Sequence, residues 1–277
     1  MKAAMTGKSI KFAASVKTAE IMSRKITLII FAFLALAYFL PGSALSGFLP
    51  SWVVRFRIAY PVAALCIAGL LTGIDLRFVL AFLFSCIGDA FGAAGSFIGQ
   101  MGFFALAHIT FIYCFISRLH KIRGTASRRV EAPNGPRQAA TEARAGEVCE
   151  IARAKVHIPI MGTGWVIIGL TAVSAILILA CVCVLPRIED SILFWGCGIY
   201  AILICTMAAL AMFQRSPLFA VGALLFAISD FILSWNKFVE PVEYEKYLIM
   251  VPYYLGQFLL WLGAYFFRDS SWRRGMS

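Results

Sequence analysis

Long apolar runs separated by short polar breaks constrain this chain more than any other feature. Hydrophobic residues make up 61% of the sequence and charged residues only 14%, whereas soluble domains carry roughly 25% charged residues. Several of the runs approach the length of about 20 residues that a helix needs to cross a bilayer. The chain is therefore predicted to be a polytopic membrane protein rather than a soluble protein with an unusually apolar core.

The runs predict an all-α fold, a transmembrane helical bundle of about eight helices. Proline, glycine and charged turns separate the runs, so that helices are expected at residues 26–40, 58–71, 77–91, 99–117, 165–185, 191–213, 217–235 and 248–267. The predicted segments are a basic N-terminal tail at 1–25, a four-helix unit at 26–117, a basic disordered loop at 118–159, a second four-helix unit at 160–267 and a basic tail at 268–277.

The positive charge reports topology rather than a nucleic-acid partner. The net charge is +11, and twenty of the 25 Lys and Arg residues fall in the tails, the middle loop or the two turns that eight crossings place on the same side. Cytoplasmic segments of membrane proteins carry this excess. We therefore expect both termini and the 118–159 loop to be cytoplasmic, in a membrane of the bacterial inner or plasma type.

The cysteines and histidines do not predict a cofactor. The eight cysteines include no CxxC pair, and His108, His120 and His157 have no spacing typical of metal ligands. We interpret the cysteines as free thiols that pack as small hydrophobic residues. No metal site, cofactor or nucleic-acid partner is predicted.

Two carboxylates lie inside apolar segments. Asp89 ends the stretch Phe84-Ser85-Cys86-Ile87-Gly88-Asp89, and Asp230 ends a similar stretch, Leu225-Phe226-Ala227-Ile228-Ser229-Asp230. Ionisable residues at such depth are expensive and are functional-site candidates. Because both stretches fall in the third helix of a four-helix unit, they predict a parallel internal repeat with a site at the repeat interface.

Helix geometry places several polar residues at one depth. At about 1.5 Å per residue, Asp89 lies ~18 Å beyond Arg77, and Asp230 lies ~22 Å beyond Arg215. Similar counting from the outer helix ends brings His108, Tyr254 and Gln257 into the same outer half of the membrane. One polar cavity within the bundle would give all of these groups partners away from lipid.

Each residue also has a structural interpretation. In this alternative interpretation, an embedded Asp, His108, Tyr254 or Gln257 hydrogen-bonds a neighbouring helix and has no role in chemistry. Ser85 and Ser229 are expected to bond backbone within their own helices, and Gly88 is expected to permit close helix approach. Lys237 is interpreted either as an interface residue or as a ligand of a lipid phosphate.

These motifs resemble the YhhN-like family of membrane proteins, which includes lysoplasmalogenases. The matching residues are Ser85 with Gly88-Asp89, Ala107-His108, Gly222 to Phe226 with Ser229-Asp230, Asn236-Lys237-Phe238, and Tyr253-Tyr254 with Gln257. Phe111 replaces a Tyr of the pattern, with Tyr113 nearby, and Gly256 replaces an Ala.

The resemblance implies hydrolysis of the vinyl ether bond of a lysoplasmalogen, a lysophospholipid, within the membrane. Asp89 and Asp230 would then be catalytic, since a vinyl ether needs a proton donor and a group that activates water, much as glycosidases use two carboxylates. The expected substrate-binding or positioning residues are His108, Tyr113, Ser229, Asn236, Lys237, Tyr253, Tyr254 and Gln257. The alternative class is a non-enzyme: a proton-coupled transporter or a lipid-binding membrane protein that uses the same two Asp residues.

Overall fold

The computed structural model describes residues 25–131, 162–214 and 216–267, with side chains described outside 121–131. Most of the predicted tails and the larger part of the predicted middle loop lie outside these residues. Cys149 also lies outside the described residues. The other seven cysteines are free thiols, as predicted.

The described chain is all-helical, which confirms the predicted fold class. The helices are α1 (Lys25–Phe39), α2 (Gly42–Ser46), α3 (Ser51–Arg55), α4 (Tyr60–Thr72), α5 (Leu76–Ala93), α6 (Phe97–Glu131), α7 (Thr163–Leu179), α8 (Ser191–Met212), α9 (Pro217–Phe238) and α10 (Glu245–Phe266). A short 3-10 turn, Phe56–Ile58, joins α3 to α4, and α7 continues through a π-helical turn at Ala180–Val184. Each of the eight predicted helices corresponds to one of these elements.

Six of the described helices, α5 to α10, are long and apolar enough to cross a membrane. The pair formed by Ser51–Ile58 and Tyr60–Thr72 meets the same criterion when it is counted as one span, but it is bent by 71°. Helix α1 has the length of about 22 Å that fifteen residues give, less than the hydrocarbon thickness. The chain is thus a multi-pass membrane protein.

Local sequence explains where the helices begin and end. The side chains of Asp75 and Asp190 accept hydrogen bonds from the backbone N–H of Arg77 and Leu193, which caps the first turns of α5 and α8. Gly73 ends α4 with a φ of 65°, a left-handed conformation that glycine adopts without a steric cost.

Helix α6 extends beyond its predicted end. The predicted loop begins at Arg118, whereas α6 remains helical to Glu131. Arg118 contacts the second half of the chain, because its Nε donates to Oε1 of Gln214 at 3.1 Å and its guanidinium donates to the carbonyl of Phe267 at 3.3 Å. Once a helix is nucleated, each further residue adds a hydrogen bond at little cost, and a polar sequence is then no barrier.

The helices pack most extensively as two pairs, α5 with α6 and α9 with α10. Helix α8 contacts α6, α7 and α9, and α10 contacts α4, so that the two halves of the chain share one core. The predicted parallel repeat stays a prediction, although the two pairs contain corresponding helices of the two predicted units.

Candidate functional site

Asp89 lies on the face of α5 that packs toward α10. The residue is 2% exposed, and its Oδ2 accepts a hydrogen bond of 2.8 Å from the hydroxyl of Tyr253. Phe104 and Phe226 pack against the Tyr253 ring in edge-on geometry, with ring centroids 5.8 and 5.3 Å away. The phenol is therefore confined to one orientation, with its hydroxyl directed at the carboxyl group.

Asp230, on α9, takes part in a second hydrogen-bonded chain. The hydroxyl of Tyr200 on α8 donates to Oδ2 of Asp230, and Nε2 of His108 on α6 lies 3.0 Å from the same hydroxyl. Because a phenol has one proton, its donation to Asp230 leaves its oxygen to accept from Nε2 of His108. His108 itself lies 3.8 Å from Oδ2 of Asp230 and is fully buried.

Both carboxyl groups line one polar cavity of about 410 Å³ between the two halves of the chain. Its walls come from α1, the turn before α4, α5, α6, α9 and α10. The lining residues are Tyr38, Arg57, Ile58, Asp89, Gln100, Phe104, Ser229, Asp230, Leu233, Asn236, Glu245, Lys246, Ile249, Met250 and Tyr253. The structure thus brings Asp89 and Asp230 together in the lining of one cavity.

A second, mostly apolar cavity adjoins the first on the other side of Asp230. Asp230 and Phe104 line both cavities, and Tyr200 lines the apolar one. The π-helical turn after α7 contributes Ala180 and Val184 to its wall. Asp230 therefore lies between a polar and a mostly apolar cavity.

The small residues of the two motifs have structural roles beside the carboxylates. A Cβ on Gly88 would lie 3.1 Å from the Phe104 ring, so glycine permits the close approach of α5 to α6. Ser85 donates to the carbonyl of Ala81 in its own helix, as predicted. Ser229 does not: its hydroxyl donates to the carbonyl of Ile249 on α10, because α9 and α10 approach closely.

Other predicted site residues lie at the edge of the cavity or behind it. Asn236 lines the cavity, bonds the carboxylate of Glu245 and accepts from the N–H of Val242 at 2.8 Å, which stabilises the turn between α9 and α10. Tyr254 donates to the carbonyl of Ile58. Gln257 is fully buried, and its amide has no hydrogen-bond partner among the described residues.

Two of the predicted residues lie away from both cavities. Tyr113 is 58% exposed on α6, and the guanidinium of Arg77 lies 5.4 Å from the centre of its ring. Lys237 is exposed at the end of α9, with Nζ 5.0 Å from the ring centre of Phe97. The structure thus separates these side chains from Asp89 and Asp230.

Sequence reasoning missed six polar residues of the site, Tyr200 and, in the polar cavity, Tyr38, Arg57, Gln100, Glu245 and Lys246. Tyr200 is a phenol in an otherwise apolar helix, and its position along that helix is the one signal in the sequence that could have identified it as a site residue. Arg57 and Lys246 belong to the five basic residues outside the cytoplasmic excess and were not predicted as site residues, whereas both line the polar cavity. Within the described residues, no group of His, Cys, Asp and Glu is arranged to hold a metal ion.

The fold and the site define a class: a multi-pass helical membrane protein with two carboxylates in one internal cavity. The resemblance to the YhhN family is confirmed by a match of the family's sequence profile to residues 156–264, a range that covers α7 to α9 and all but the last two residues of α10. No solved structure is significantly similar to the chain.

Similarity to curated proteins is confined to a short segment. Over 43 residues the chain is 51% identical to human lysoplasmalogenase TMEM86A, which is 16% of this chain and 18% of that protein. It is 44% identical over 43 residues to human lysoplasmalogenase TMEM86B, and 42% identical over 43 residues to the pig protein of that name. Each of these two matches covers 16% of this chain and 19% of the relative. The chain thus matches about a fifth of the length of these relatives.

Proposed function

We propose that the chain hydrolyses the vinyl ether bond of a lysoplasmalogen and releases a fatty aldehyde and a glycerophospho-headgroup. The observation that carries this proposal is the presence of Asp89 and Asp230 in the lining of one cavity. The similarity to lysoplasmalogenases over a short segment supports the same substrate class. A substrate with a single chain can enter such a cavity laterally from the lipid.

The chemistry needs one proton donor and one proton acceptor. A proton is added to the vinyl carbon that is further from the ether oxygen, which leaves an oxocarbenium ion. Water then adds to the carbon next to the oxygen and loses a proton, and the resulting hemiacetal breaks into an aldehyde and an alcohol. The proton donated in the first step is balanced by the proton taken from water, so no cofactor is consumed.

Asp89 and Asp230 supply these two roles in the proposal. General acid–base catalysis by positioned side chains contributes about 10²–10⁴ in rate. Tyr253 and Tyr200 orient one carboxyl group each, and His108 extends the second chain. The proposal assigns the acid and base roles to the pair and does not divide them between its members.

The polar cavity, of about 410 Å³, receives the headgroup. The apolar cavity next to Tyr200, of about 60 Å³, has room for only the first carbons of the alkenyl chain. The vinyl ether, which connects the two parts, is then placed beside Asp230 at their boundary. With the headgroup in the polar cavity, the headgroup does not have to cross the apolar core.

The direct test is incubation of the purified protein with a lysoplasmalogen while fatty aldehyde is measured. We expect aldehyde release from the 1-alkenyl lipid and none from the matched 1-alkyl lipid, whose saturated ether forms no oxocarbenium ion on protonation. Absence of aldehyde with a folded, lipid-binding protein would contradict the proposal. The lipid-binding or transporter class would then be favoured.

The same assay tests the two carboxylates. Asp89→Asn and Asp230→Asn keep the side-chain size but remove proton exchange, so each should lower turnover by about 10²–10⁴-fold. The double variant should lose little more than either single variant, since residues that act as a unit are not additive. Glu240→Gln, at an exposed acid beyond α9, is the matched control and should keep normal turnover. Near-normal turnover by either folded Asn variant would rule out this mechanism.

A further inference from the structure

Two cations line the polar cavity close to one aromatic ring. Arg57, in the 3-10 turn before α4, has its guanidinium carbon 5.7 Å from the ring centre of Tyr38. Lys246, in the first turn of α10, has Nζ 5.0 Å from the same ring centre. They come from opposite halves of the chain, and they are the two basic residues of this cavity.

The acids of the cavity form no direct ion pair with these cations. Among the described side chains, Arg77 is paired with Asp75, and Nε2 of His108 lies 3.8 Å from Oδ2 of Asp230. Glu245, the third acid of the lining, is bonded to the amide of Asn236 instead. The positive charge of Arg57 and Lys246 is therefore available to a ligand within the cavity.

Arg57 and Lys246 also have N–H donors that a ligand in the cavity can use. Nη1 of Arg57 is buried and has no hydrogen-bond partner among the described residues. Nζ of Lys246 donates to the carbonyl of Phe39 at 3.3 Å, while an ammonium group has three donors. A buried guanidinium N–H without an acceptor carries an unfavourable desolvation free energy. An anionic ligand at this position would accept the hydrogen bond, which removes that cost, and would also be attracted by the positive charge.

We propose that Arg57 and Lys246 form a phosphate-binding site, which holds the phosphodiester of a single-chain glycerophospholipid in the polar cavity. The planar donor fork of arginine matches the paired oxygens of a phosphate, and lysine adds a point charge. The inference rests on the proposed function only for the source of the phosphate. It replaces Lys237 as the headgroup ligand, because the Lys237 ammonium lies against Phe97 outside the cavity.

Binding of lipids that cannot be hydrolysed tests the site. The probes are a 1-alkyl lysophosphatidylcholine and the matching 1-alkylglycerol, which lacks the phosphate, each titrated into the purified protein in detergent. Arg57→Gln and Lys246→Gln should each weaken binding of the phospholipid by about 10–100-fold, the usual loss for a hydrogen bond to a charged group. Binding of the alkylglycerol should be unchanged. Arg55→Gln, at an exposed arginine that donates to the carbonyl of Ala93, is the matched control and should bind both probes normally.

The other outcomes would overturn the proposal. Equal loss of both lipids would make the two cations structural, and unchanged binding of both would exclude them from the site. Weaker phospholipid binding by Lys237→Gln but not by Lys246→Gln would identify Lys237, at the end of α9, as the headgroup ligand. Inorganic phosphate that binds as tightly as the lipid would identify a free anion as the ligand. Since the alkyl probe has no vinyl ether, failure of aldehyde release leaves this result intact and refutes only the proposed hydrolysis.

Discussion

At the residue scale, Tyr200 links two groups that the sequence had identified separately. His108 and Asp230 lie on α6 and α9, and the hydroxyl of Tyr200 from α8 lies between them. Nε2 of His108 is 3.8 Å from Oδ2 of Asp230, beyond hydrogen-bond distance, so the Tyr200 hydroxyl connects the two groups. Tyr200 is therefore a positioning residue for the carboxyl group in the proposed mechanism.

Tyr200→Phe should lower kcat by about 10–100-fold and leave KM nearly unchanged. The phenyl ring keeps the packing, whereas the loss of one hydrogen bond to an acid costs about 1.5–3 kcal/mol. Tyr113→Phe is the matched control, since that phenol is exposed beside Arg77, and it should behave as the parent protein. Steady-state kinetics on a lysoplasmalogen measure both parameters. An unchanged kcat for Tyr200→Phe would remove this residue from the mechanism.

At the element scale, the approach of α9 to α10 decides the geometry around Asp230. A Cβ on Gly256 would lie 2.8 Å from the carbonyl oxygen of Gly222, and a Cβ on Gly222 would lie 3.0 Å from that of Gly256. The backbones are therefore in contact at two glycines. This proximity allows Ser229 to bond the carbonyl of Ile249, and it gives a physical reason for glycine where the family pattern has alanine at position 256.

Gly256→Ala should destabilise the protein by about 1–3 kcal/mol, the usual cost of overpacking, because the obstructing atoms are backbone atoms. Gly102→Ala is the matched control: no atom lies within 4 Å of the position of its Cβ, and alanine is the better helix former. Thermal unfolding in detergent should show a lower Tm for the first variant and an unchanged or higher Tm for the second. Equal Tm values would mean that the two helices can separate without cost.

At the scale of the whole molecule, the polar cavity lies between the two halves of the chain. Asp89 and Arg57 come from the first half, and Asp230, Lys246 and Tyr253 come from the second. Neither half therefore contains the complete site. Orientation in the membrane follows from the distribution of the basic residues, and we propose that both termini are cytoplasmic.

Cys149 provides a test of this topology. Eight crossings place the 118–159 segment on the cytoplasmic side, so a variant with Cys149 as its only cysteine should resist a membrane-impermeant maleimide in intact cells. It should react after the cells are opened. A single cysteine introduced at Glu189, in the turn before α8, is the control and should react in intact cells. Labelling of Cys149 from outside would show that the number of crossings is wrong.

Hydropathy and local motifs were sufficient to predict the helices and the two embedded acids. Both properties depend on neighbours along the chain: an apolar run forms a helix in lipid whichever helices surround it. The continuation of α6 past Arg118 was not predicted, because distant groups, Gln214 and the carbonyl of Phe267, bind that arginine.

Only the tertiary structure decided which polar side chains meet. A polar residue at the right depth points into the cavity or away from it according to the rotation of its helix, and packing between helices sets that rotation. Tyr200, Arg57 and Lys246 line a cavity, whereas Tyr113 and Lys237 do not. The glycine contact between α9 and α10 illustrates the reason, since residues 34 positions apart in sequence, Gly222 and Gly256, determine how closely the two helices pack.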